Sequence, residues 1–119
     1  MDQPGPNRWT LQTSEEEANG CRILVLRGRL GFASVHAFEA ALGRSASPRG
    51  LILDFAGVDY ISSAALKVLQ DHASTHQPVI VAGACDAVKL TLEFAGATSL
   101  IVAASRTEAL ARFGLPQGN

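Results

Sequence analysis

Two hydrophobic periods alternate along this chain. Residues 9–13 alternate apolar and polar, as a half-buried strand does, and residues 21–26 are dense in Ile, Leu and Val. Between them Glu15, Glu16 and Glu17 read as a solvated acidic turn, and Asn19-Gly20 is a strong hairpin signal. Residues 28–32 break the second strand. Ser34 is placed to cap a helix in which Val35, Phe38 and Leu42 recur at helical spacing, with His36 and Glu39 on other faces. Residues 43–50, with Ser, Pro and two Gly, read as a loop. Residues 51–55 are short and nearly all apolar, which suits a strand buried on both faces.

Beyond a glycine turn, Ser62 or Ser63 opens a helix striped by Leu66, Leu69 and Ala73 and ended by residues 75–78. Residues 79–82 predict another buried strand. Asp86 is placed to cap a helix carrying Val88, Leu92 and Ala95 and closed by Gly96. Residues 99–103 predict the last strand. Ser105 opens a final helix through Phe113, with Gly114 and Pro116 as stop signals. The predicted order is β-β-α-β-α-β-α-β-α, an α/β domain with parallel pairs in a small mixed sheet of about five strands and about four helices.

The length of 119 residues fits one domain, here assigned to residues 9–114, with a flexible lead at 1–8 and a tail at 115–119. A net charge of −1 offers no basic surplus for nucleic acid or anionic lipid. One Trp and one Tyr also argue against a base-stacking surface. Residues 1–7 hold no apolar stretch of the signal-peptide kind, and no apolar run is long enough to cross a bilayer. Cys21 and Cys85 have no metal-ligand or paired spacing. They read as buried reduced thiols, and a cytoplasmic setting is expected.

The candidate chemistry is sparse. His72 and His76 are an i, i+4 pair without a third ligand, so a polar helix end is the simpler reading, and no metal or other cofactor is expected. There is no GxSxG, P-loop or GxGxxG pattern, and no residue is nominated as a base for a serine nucleophile, so an enzyme is not expected. The strand-to-helix junction at Ser62 and Ser63 is more informative. Either serine can simply cap the helix, worth about 1 kcal/mol. A hydroxyl there is also a candidate charge switch, because a phosphate would meet free N–H groups and the positive end of the helix dipole. Lys67, four residues after Ser63, shares its helix face, either as a partner for a phosphate or an acidic residue or as a solvated lysine. Asp59 reads as a turn carboxylate near the serines.

The run DFAGVDYI at 54–61 followed by SSAALKVL at 62–69 resembles the signature of STAS domains, which include the bacterial anti-sigma factor antagonists. The resemblance covers roughly residues 9–113. It implies a small mixed sheet with four surface helices. It also implies phosphorylation of Ser63, or of Ser62, by an anti-sigma factor that is a serine kinase of the switch type. Partner contact is implied at Gly31, Phe32, Ser62, Ser63, Ala64, Ala65 and Lys67. A metal-dependent Ser/Thr phosphatase would reverse the modification, and the chain would act as a monomer.

Three departures stand out. Ser62 replaces an Asp common before the modified serine, and Ala65 replaces a usual glycine. Gly28-Arg29-Leu30-Gly31 replaces a Gly-Glu-Leu-Asp-like turn, which implies altered kinase recognition or a partner of altered charge. The alternative function is a constitutive STAS-type subunit of a transporter or other complex, without a phospho-switch.

Overall fold

Strand β3 (Leu51–Ile61) is the middle of a five-stranded sheet. On one side lie β2 (Cys21–Leu30) and β1 (Gln12–Ala18), and on the other β4 (Val79–Ala82) and β5 (Leu100–Ala103), in the order β1-β2-β3-β4-β5. The β1–β2 pair is antiparallel and the other three pairs are parallel. The helices are α1 (Val35–Arg44), entered through a 3-10 turn at Phe32–Ser34, then α2 (Ser63–Thr75), α3 (Asp86–Phe94) and α4 (Arg106–Arg112). This computed structural model describes residues 11–18, 20–45, 50–75, 78–94 and 100–112, which excludes the lead, the tail, Asn19, His76, Ala95, Gly96 and Phe113. The α/β order and mixed sheet agree with the sequence pattern.

Alternation along β3 sorts the sheet's two faces. Leu51, Leu53 and Phe55 join Phe38 and Leu42 of α1, Leu66 and Leu69 of α2, and Val88 and Leu92 of α3 in the larger core. Ile52 points the other way, into a smaller cluster with Ile23, Ile80, Ala82, Ala103 and Ala109 of α4. Each large side chain withdrawn from water contributes about 1.5–3 kcal/mol, so the three-helix face carries most of the apolar stabilisation. Among the described residues no helix is long and apolar enough to cross a membrane.

Several boundaries depart from the hydrophobic pattern. Glu15, Glu16 and Glu17 are not a turn; they lie in β1, an edge strand exposed along residues 12–17. Ladder pairing with β2 forms that strand. Its acidic side chains are matched by arginines: Glu15 with Arg22 at 2.9 Å, Glu17 with Arg22 at 3.8 Å, and Glu16 with Arg106 at 2.6 Å. At the hairpin predicted for Asn19-Gly20, Asn19 lies outside the described residues, but Ala18 pairs opposite Cys21 and Gly20 has φ 79°, in the left-handed region that favours glycine.

Strand β2 continues through residues 28–30, and β3 continues through the supposed glycine turn to Ile61. Two register shifts let the extended pair stay in step. At Gly57 the strands approach so closely that a Cβ would lie 2.8 Å from Arg27 Cγ and 3.2 Å from the Leu26 carbonyl oxygen, so glycine serves close pairing there.

Helix α1 runs through Gly43 and Arg44 before the loop begins. Ser34 occupies the position before α1, but its side chain makes no cap bond. Entry is set by the 3-10 turn, in which the Ser34 N–H donates to the Gly31 carbonyl at 3.0 Å. At α3 Asp86 is the first helical residue, and the preceding Cys85 carbonyl accepts the first helical bond from Lys89 N–H at 2.9 Å. Ser105 does cap α4, accepting from Glu108 N–H at 3.2 Å, while the Ala104 N–H donates to Glu108 Oε1 at 2.8 Å. Cys21 is buried as expected, but Cys85 is exposed because it precedes α3 outside the core.

Candidate functional site

The end of β3 delivers the two serines in different states. Ile61 is buried opposite Leu30, and the Ser62 N–H donates to the Leu30 carbonyl at 2.8 Å, which anchors the chain where it leaves the sheet. Ser62 then caps α2. Its Oγ accepts from Ala65 N–H at 3.1 Å and its carbonyl from Leu66 N–H at 2.9 Å. Ser63 is the first residue of α2, exposed, and its hydroxyl has no hydrogen-bond partner among the described residues. The cap consumes the Ala65 and Leu66 donors, so the N–H groups of Ser63 and Ala64 remain at the positive end of the helix.

The surrounding surface is low. Ala64 is half-buried and Lys67 is exposed, with Nζ 3.7 Å from Asp71 one turn along α2. A contact of that length between two solvated groups contributes little. Ala65 does not share this surface: it is 0% exposed and packs in the larger core. It lies within α2, so the usual glycine is not needed there for backbone conformation.

Gly31 and Phe32 lie beside the serines, because the bond from Ser62 to Leu30 fixes the β2–α1 connection next to the start of α2. Arg29, Gly31, Phe32, Ala33, Ser34 and Tyr60 line a groove of about 320 Å³. Phe32 is 83% exposed and Tyr60 43%, large apolar surfaces that the fold leaves in water. Arg29 and Tyr60 are cross-strand partners, and the Arg29 Cζ lies 4.7 Å from the centre of the Tyr60 ring. Sequence reading missed this stack. The basic residue at 29 was visible, but its pairing with the single Tyr depends on register shifts that no residue pattern announces. Asp59, read as a turn carboxylate, is an exposed residue of β3.

A second polar cluster, also missed, lies further back along β3. Arg106 Nε donates to Asp54 Oδ2 at 2.8 Å, its Nη1 donates to Glu16 Oε1 at 2.6 Å, and Asp54 Oδ1 accepts from Ala56 N–H at 2.9 Å. Hydrogen bonds to Glu16, then to Asp54, raise the pKa of the Arg106 guanidinium further. Nearby, the Glu108 carboxyl is held below its ordinary value, chiefly by the Ala104 N–H. His36 is exposed on α1 and His72 is buried on α2; among the described residues no group of three or more His, Cys, Asp or Glu side chains is arranged to hold a metal ion.

A sequence model of the STAS domain matches residues 12–111. No curated protein matches the chain. Among solved structures, an anti-sigma factor antagonist from Mycobacterium paratuberculosis is 20% identical and superposes with a TM-score of 0.80 over 88% of this chain and 95% of that one. The anti-sigma factor antagonist SpoIIAA of Bacillus is similar in two forms. The unphosphorylated form is 17% identical with a TM-score of 0.66, over 89% of this chain and 100% of that one. The phosphorylated form is 16% identical with a TM-score of 0.59, over 85% and 98%. At these identities the likeness is one of fold.

Proposed function

The chain belongs to the STAS domain family, and from that premise we propose that it is a phosphorylation-regulated anti-sigma factor antagonist. Unmodified, it docks on an anti-sigma factor that is also a serine kinase, and so frees a sigma factor. The kinase, using ATP and Mg²⁺, modifies Ser63 and ends the contact, and a metal-dependent Ser/Thr phosphatase restores it. In this scheme the chain is a cytoplasmic binding module and the kinase supplies the catalysis.

The observation that carries the reading is the division of labour between the two serines. Ser62 is half-buried and its oxygen already accepts the cap bond, whereas Ser63 is exposed in the first turn. That favours Ser63 as the modified residue. A phosphoserine there carries about −1.5 to −2 charges at neutral pH. In the free protein, the remaining N–H groups and the helix dipole favour the added charge. In a complex, the same charge is pressed against a partner and loses its water, at a cost of several kcal/mol unless it is paired. A difference of about 4 kcal/mol weakens binding roughly a thousandfold.

The test is to incubate the protein with each purified switch-type serine kinase of its source organism and ATP, and to locate phosphate by mass spectrometry. Modification at Ser63 is expected, and Ser63→Glu should weaken kinase binding far more than Ser63→Ala. Phosphate found only outside Ser62 and Ser63, or equal binding by the two variants, overturns the proposal.

A further inference from the structure

We infer that Lys67 is the counter-charge of the modified state: when Ser63 carries phosphate, the Lys67 ammonium leaves Asp71 and pairs with the phosphate. This rests on the reading above and adds to it the movement of a second charge.

Position comes first. Ser63 opens α2 and Lys67 follows four residues later, one turn along the same face. Helical side chains lean toward the helix N-terminus, so Lys67 is directed back over the turn that begins at Ser63. Of the residues between them, Ala65 and Leu66 are buried in the core and Ala64 ends at Cβ, so no long side chain stands in the way. Asp71 lies in the other direction. There Lys67 Nζ comes only to 3.7 Å, with the two side chains 77% and 68% exposed, so water screens the pair.

Charge then decides between the two anions. An i, i+4 pair is stronger when the anion precedes the cation, and Lys67 with Asp71 has the weaker order. A phosphoserine at 63 supplies the stronger order, and about −1.5 to −2 charges against the single charge of a carboxylate. Ser63 and Asp71 are eight residues apart in α2, about 12 Å along its axis, so one ammonium cannot hold both. Modification therefore changes the docking face twice. It adds negative charge at 63, and it moves the positive charge of Lys67 one turn toward the helix N-terminus.

The experiment uses chain made with phosphoserine encoded at position 63, so it does not depend on a kinase. Phosphorus NMR follows the titration of the phosphate in the wild type and in Lys67→Gln and Lys67→Arg, with thermal melts as a folding control. Helices α1 and α2 begin at the same end of the sheet, and β2, β3 and α1 bring Arg29, Asp59, His36 and Glu39 to that end. Arg29→Gln and His36→Gln therefore serve as controls for the competing cations. A neighbouring cation favours the doubly charged phosphate, so Lys67→Gln should raise the titration midpoint by about 0.3 pH unit. Lys67→Arg should keep the wild-type midpoint, and the two controls should move it less than Lys67→Gln does. The Lys67 Nζ resonance, read through the Cε hydrogens, reports the exchange of partners. Asp71→Asn should shift it in the unmodified chain and leave it unmoved in the phosphorylated one.

A midpoint indifferent to Lys67→Gln overturns the inference, as does an equal or larger response to Arg29→Gln or His36→Gln. An Nζ resonance that still follows Asp71→Asn after phosphorylation overturns it too. If a kinase modifies Ser63 but these signals fail, the phospho-switch stands and the pairing falls. If no switch-type kinase modifies Ser63, the reading above fails and takes the inference with it.

Discussion

The two halves of β3 make opposite use of similar chemistry. Near its middle, Asp54 is 14% exposed at its side chain and is bound by Arg106 and by the Ala56 N–H, while Arg106 reaches on to Glu16. Three distant segments, β1, β3 and α4, are joined there by charges that satisfy one another. At its far end Arg29 lies over Tyr60, Phe32 stands in water, and the Ser63 hydroxyl is open. The first arrangement closes the sheet's second face, where only the small cluster around Ile52 and Ala109 supplies apolar contact. The second leaves large apolar surface and an exposed hydroxyl in water. Polar groups that complete each other hold a fold, and exposed apolar walls beside an open hydroxyl are what a partner can read.

Substitutions on the one strand can separate these roles. The largest effect on stability should come from Asp54→Ala. It removes the acceptor for Ala56 N–H and half of the Arg106 site, so a loss of about 2 kcal/mol in denaturant unfolding is expected, with partner binding unchanged. Phe32→Ala should do the reverse, leaving the unfolding midpoint within about 0.5 kcal/mol of wild type while weakening the kinase complex about tenfold. A stability loss from Phe32→Ala equal to that from Asp54→Ala would erase the contrast.

The serines give a finer test. Ser62→Ala should cost about 1 kcal/mol through the lost α2 cap, and Ser63→Ala less than about 0.5 kcal/mol. If Ser63→Ala proves the more destabilising, the assignment of roles is inverted. The smallest effect concerns pH at α4. Glu108 has a depressed pKa in the fold, so its contribution is present above the ordinary value of 4.5 and is lost as pH falls through the lower folded value. Amide exchange in α4 should therefore accelerate below about pH 4.5 in the wild type, and Glu108→Gln should lose that acid-dependent step.

What could be read from the sequence follows the range of the forces involved. The antiparallel β1–β2 pair, the buried strand at 79–82 and the Ser62 cap are set by neighbours a few residues away, and local pattern shows them. The reach of β1 through Glu15, Glu16 and Glu17 was hidden because its ladder comes from β2 and its charges are answered by Arg22 and Arg106. The extensions of β2 and β3 were hidden for a related reason: register shifts let glycines at 28 and 57 stay inside strands. At the candidate site the serines were visible from their junction, whereas the inward turn of Ala65 and the Arg29–Tyr60 stack emerge only once the strands are in register.

The most direct measurement is a titration of the switch-type kinase proposed as the partner with two preparations of this chain, unmodified and phosphorylated at Ser63. Binding should weaken roughly a thousandfold on phosphorylation while both forms keep the same melting profile. Equal affinity for the two forms would contradict a charge switch at Ser63.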